Sequence, residues 1–158
     1  MDRYEQLVDY AGSLGMEVVE KSFKSSAKGL CKGNKIGISK EIETTTEKRC
    51  ILAEEMAHSF FTVGDILDTR NPTAMKQELI ARRAAYEHLV PIPDLIDACL
   101  CCSQNLYDVP EYLGVTSEFL QDALNHYYRK HGAYLRQGKY IISFSPLFIC
   151  ESSHISSA

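Results

Sequence analysis

The sequence predicts an α+β domain in which a small antiparallel three-stranded sheet packs on a long central helix, with a C-terminal helical bundle completing the core. Three observations predict it. Apolar residues recur at three- and four-residue spacing in several long stretches, as amphipathic helices require. Between residues 16 and 40 these give way to short β-branched runs separated by turn formers. The chain has 158 residues, 45% apolar and 24% charged, which suits one sizeable core.

Each element follows in order. In residues 4–14, Leu7, Val8, Tyr10, Ala11 and Leu14 form one helical stripe, and Gly15 ends it as a C-cap would. MEVVEKSF, AKGLCKG and KIGISK read as three strands separated by SSA and GN. Thr44 with Glu47 matches a capping box and opens a helix over residues 45–62. A polar linker containing Gly64 and Pro72 follows, then a helix over 74–89 that Val90, Pro91 and Pro93 break. A further helix over 94–103 carries a cysteine cluster. Two helical segments then span 107–131 around Gly114 and Val115, with Thr116 as the N-cap of the second. KYIISFSPLFIC reads as strand, and residues 151–158 as a frayed end. No repeat or second domain boundary interrupts 1–158: helix, sheet and central helix occupy 1–70, a helical part 71–131, and the strand-like tail 132–158.

Net charge excludes some functions. Lys plus Arg number 17 against 21 Asp plus Glu, a balance of -4 without the basic excess that a nucleic-acid backbone demands. No stretch is long and apolar enough for a membrane span, and MDRYEQLVDY lacks the apolar core of an export signal. The six cysteines, Cys31, Cys50, Cys99, Cys101, Cys102 and Cys150, are therefore expected as reduced thiols in a cytoplasm. No Cys-x-x-Cys pair recurs at the spacing of a structural zinc site. Cys99, Cys101 and Cys102 read as small apolar residues, and His88, His126, His131 and His154 as surface or helix-end residues.

The chemistry concentrates in Leu52-Ala53-Glu54-Glu55-Met56-Ala57-His58. At about 100° per residue, Glu54 and His58 lie within roughly 40° of each other on a helix, so both can reach one point. Zinc proteases place two ligands at i and i+4 and use the glutamate at i+1 to take a proton from water. Glu55 occupies that i+1 position. Cys50, Ala53 and Ala57 are small enough to let another element approach and bring a third ligand. Glu78 is the best candidate, because it shares a helix face with Ala81, Ala85 and Leu89 and points a carboxylate inward, where it needs a cation. Two plainer readings stand beside this one. A Glu-Glu pair is commonly a solvated face, and Arg82, four residues after Glu78, could satisfy that carboxylate as a simple helix pair.

RCILAEEMAHSFFTVGDILD, then KQELIARRAAYEHLVP, then YLGVTSEFLQDAL resemble the ImmA/IrrE family of zinc metallopeptidases, particularly its phage and mobile-element members. The resemblance covers most of the chain in the right order. It makes the central helix zincin-like and places Glu78, Ala81, Arg82, Ala85 and Pro91 on the family's second motif. Glu54 stands where the general motif has its first zinc-binding histidine, giving the Glu-Glu-x-x-His form of the phage-type branch. Ala84 stands where an aromatic residue is usual, Ala57 where glycine is, and Ser59 where many phage-type relatives carry a second histidine. A set of Glu54, His58 and Glu78 carries two negative charges, so manganese competes better with zinc than at a histidine-rich site.

What the resemblance implies is a metal-dependent endopeptidase, with Glu55 as its proton acceptor, that inactivates a helix-turn-helix repressor. The alternative is a non-catalytic module that disables the repressor by docking. Residues 107–131 also have helix-turn-helix spacing, but Asp108, Glu111, Glu118 and Asp122 outnumber Arg129 and Lys130. That balance disfavours direct contact with nucleic acid and favours a structural hairpin or a repressor-recognising surface.

Overall fold

The structure, a computed structural model, describes residues 1–61 and 72–152. The expected helix end at Thr62, the linker before Pro72 with Gly64, and the tail residues 153–158 with His154 lie outside the described residues. The fold is α+β, and the chain divides into two compact units, Met1–Leu89 and Val90–Ala158. The division falls where Val90 and Pro91 break the helical pattern.

The first unit opens with α1 (Arg3–Ser13). Asp2 and Glu5 close its N-terminus reciprocally: Glu5 N donates to Asp2 Oδ1 at 2.8 Å and Asp2 N to Glu5 Oε2 at 2.9 Å. Strands β1 (Glu17–Lys21), β2 (Gly29–Lys32) and β3 (Lys35–Ser39) follow, in the order β1-β3-β2. β2 and β3 form the expected antiparallel hairpin, turned by Gly33 at φ +63°.

The expectation of a wholly antiparallel sheet is corrected here, because β1 pairs with β3 in parallel, Val18 opposite Ile36 and Glu20 opposite Ile38. The cause is the placement of apolar residues. Ile36 and Ile38 are fully buried, so β3 takes the centre, and the segment between β1 and β2 carries the chain across to its far side.

α2 (Thr45–Phe61) begins as read, with Glu47 N donating to Thr44 Oγ1 at 3.1 Å. The Glu47 carboxylate pairs with Lys28, the residue before β2, rather than returning to the cap. α2 packs against α1, β2, β3 and α3 (Pro72–Leu89). Cys50, Ala53 and Ala57 on α2, and Ala74, Ala81 and Ala85 on α3, are all buried. Small residues on both helices permit the close approach that Glu78 needs to reach α2.

The second unit holds α4 (Ile92–Cys101), α5 (Val109–Leu113) and α6 (Ser117–His131). Gly114, left-handed at φ 67° and ψ 39°, ends α5, and Thr116 Oγ1 accepts from Phe119 N at 3.0 Å to start α6. This C-terminal part is not a helical bundle alone. β4 (Tyr134–Gln137), β5 (Tyr140–Phe144) and β6 (Leu147–Glu151) form a second, antiparallel sheet around Ile142 and Phe144, so the strand-like tail supplies all three strands.

His126 departs from its expected surface position. It shares the buried face of α6 with Phe119, Ala123 and Tyr127, and its ring lies 5.3 Å from that of Tyr127. Tyr127 OH donates to Val90 O at 2.6 Å and its ring stacks on Phe144. All six cysteines are free thiols, and burial pushes the Cys99 thiol up to about 11. No helix among the described residues is long and apolar enough to cross a membrane.

Candidate functional site

The site lies within the first unit, on α2. His58 occupies the last turn of that helix and is buried, with Nδ1 turned inward and Nε2 toward α3. Nε2 stands 3.3 Å from Glu78 Oε2, so the two helices meet through an imidazole and a carboxylate. Glu78 Oε1 accepts from Arg82 Nε at 3.1 Å. The metal reading and the helix-pair reading of Glu78 thus use different oxygens of one carboxylate.

Glu54 and Glu55 are both half-buried on the preceding turn of α2. Burial raises the Glu55 carboxyl to about 7, and the negative charges of Glu54 and Glu78 add to the rise. Three carboxylates therefore share one electrostatic neighbourhood around His58. Among the described residues, no group of three or more histidine, cysteine, aspartate or glutamate side chains is gathered closely enough to hold a metal ion. The structure brings His58 and Glu78 together, and Glu54 sits one helical turn away.

The His58–Glu78 pair by itself is spaced as two ligands of one divalent cation would be. Two ligands of a tetrahedral zinc ion, each about 2.0–2.2 Å from it, stand roughly 3.3–3.5 Å apart. The separation of His58 Nε2 from Glu78 Oε2 is 3.3 Å. A carboxyl raised first by burial and then by two neighbouring carboxylates is one that a cation would relieve.

β2 adds residues that the motif does not contain. Gly29 lies against α2, where a Cβ would meet Ile51 Cγ2 at 2.6 Å and Glu55 Cγ and Oε1 at 3.0 Å. Burial and the Glu55 charge raise the Cys31 thiol, while a hydrogen bond with Ser59 opposes them. Ser59 Oγ also donates to Gly33 O at 3.3 Å, pinning the hairpin turn to the end of α2. The only signal for this contact in the sequence is a glycine inside a strand, which commonly marks a close approach of backbone to another group.

A central helix carrying Glu-Glu-x-x-His, backed by a sheet and joined through its histidine to a carboxylate of the next helix, defines a metallopeptidase-like domain. Residues 11–125, well over half of the sequence, match the family described as the IrrE N-terminal-like domain, peptidase family M78. The chain belongs to this family, the ImmA/IrrE family. It matches no curated protein and no solved structure.

Proposed function

We propose that the protein is a metal-dependent endopeptidase that inactivates a helix-turn-helix repressor, with Glu54, His58 and Glu78 holding zinc or manganese and Glu55 accepting the proton. The observation that carries this reading is the 3.3 Å approach of His58 Nε2 to Glu78 Oε2, which unites the two family motifs at one point. A divalent ion there would supply a Lewis acid that polarises the scissile carbonyl and stabilises the oxyanion. His58 and Glu78 would orient that centre from two helices, and Arg82 would fix the carboxylate through its other oxygen. Glu55, lodged against Gly29, would take a proton from the attacking water and return it to the leaving amine.

A second reading, docking without cleavage, is favoured by one contact: Arg82 and His58 together satisfy the Glu78 carboxylate without an ion. Metal analysis of the purified protein, combined with incubation against a helix-turn-helix repressor and read as fragment masses, separates the two. Peptidase action gives stoichiometric zinc or manganese and discrete repressor fragments that disappear with Glu55→Gln. Metal well below one equivalent, with repressor inactivation unchanged by Glu55→Gln, would overturn it in favour of docking.

A further inference from the structure

We infer that Gly29 is a positioning residue for Glu55: the missing side chain on β2 is what allows the Glu55 carboxylate to stand where it does. The inference rests on the reading of Glu55 as proton acceptor and concerns how the fold holds it. Gly29 is not required by its backbone, since it sits in an ordinary strand opposite Ile38. It is required by space.

A Cβ built there meets Ile51 Cγ2 at 2.6 Å, closer than carbon atoms pack, and Glu55 Cγ and Oε1 at 3.0 Å. The Ile51 methyl sits on a β-branched centre and cannot swing aside, whereas the Glu55 conflict, at Cγ and at the carboxylate oxygen itself, is relieved by moving that carboxylate a few tenths of an ångström. Cys31, the next residue on the same face of β2, is small as well and lies beside Glu55 and Ser59. Leu30 between them points to the other face and is exposed. The strand therefore leaves Glu55 open space at position 29, with the Cys31 thiol nearby, and a side chain there would displace the carboxylate.

Displacing a reacting group by about 1 Å can cost on the order of 100-fold in turnover, and the shift of a few tenths of an ångström that a Cβ would impose on Glu55 should cost less. Gly29→Ala is therefore expected to lower kcat for repressor cleavage by roughly 3–10-fold while KM and bound metal stay near the parent values. Leu30→Ala should change neither. Gly29→Ala combined with Ile51→Ala removes the packing conflict with the helix but keeps the one with Glu55, so it should recover thermal stability and leave kcat low. In metal-free protein the 13C carboxyl resonance of Glu55, assigned by its loss in Glu55→Gln, should move in both Gly29 variants and stay in place in Leu30→Ala. An unmoved resonance, or parental kcat in the double variant, would overturn the inference. If the parent protein cleaves no repressor, the peptidase reading fails by itself, and the resonance alone then decides whether Gly29 places Glu55.

Discussion

Arg82 Nε and Glu78 Oε1 lie 3.1 Å apart, one turn apart on α3, so the carboxylate that faces His58 with one oxygen is held by a guanidinium with the other. The pair is largely exposed on the arginine side. Exposed helix pairs of this spacing contribute about 0.3–0.5 kcal/mol. Arg82→Ala should therefore lower unfolding stability by no more than about 0.5 kcal/mol in urea titrations. A loss above roughly 2 kcal/mol would assign Arg82 a larger packing role than its exposure allows.

His58 and Glu78 are each expected to be indispensable for metal. Removing a supporting residue around a metal site typically costs about 10–100-fold in affinity, and removing a ligand should cost more. His58→Ala and Glu78→Gln should each weaken zinc binding by more than about 100-fold in competition with a chromogenic chelator. Parental affinity in either variant contradicts the assignment.

Acid should expose the contribution of Glu20. Lys48 Nζ donates to Glu20 Oε1 at 3.1 Å and Tyr4 OH donates to the same oxygen at 3.0 Å, and the Lys48 hydrogen bond chiefly lowers the Glu20 carboxyl below its usual value. A lowered native pKa means stability that is present above the ordinary carboxylate range near 4.5 and is lost as pH falls through the native value. Glu20→Gln should thus be less stable than the parent at pH 6, with the gap closing below about pH 4. Denaturation curves at pH 6 and pH 3 measure it, and a gap that widens in acid would contradict the sign.

Tyr127 offers a test in the second unit. Its hydroxyl donates to the Val90 carbonyl at 2.6 Å in a buried setting. Tyr127→Phe leaves that carbonyl without its donor and should cost about 1–3 kcal/mol in denaturant. A change below about 0.5 kcal/mol would mean that water reaches Val90 O.

Much of the site was legible because it is local. Glu54, Glu55 and His58 share one helix, and helical spacing places them together without knowledge of the rest of the chain. Thr116 and Gly114 were legible for the same reason, since caps are written within four residues. The meeting of Glu78 with His58 needed only the next helix to pack back, although the Glu78 side chain stays partly exposed. Long-range pairing was not legible. Nothing in the β-branched runs distinguishes a parallel β1–β3 ladder from an antiparallel one, because strand alternation is identical in both. The same limit hid Gly29, which lies 26 positions before Glu55 and meets it only after the hairpin folds onto α2. The burial of His126 is not legible either, because a histidine on an apolar helix face carries no sign of burial in the sequence; it lies on the buried face of α6 with Phe119 and Tyr127.

The junction of His58 with Glu78 spans two helices separated by a stretch of chain, so neither helix owns the centre. Whatever loosens α3 from α2, whether heat, a bound partner or incomplete synthesis, would part the imidazole from the carboxylate in the same event. Under the proposed function, a half-folded copy would therefore be inert, and potency would track the integrity of the helix pair.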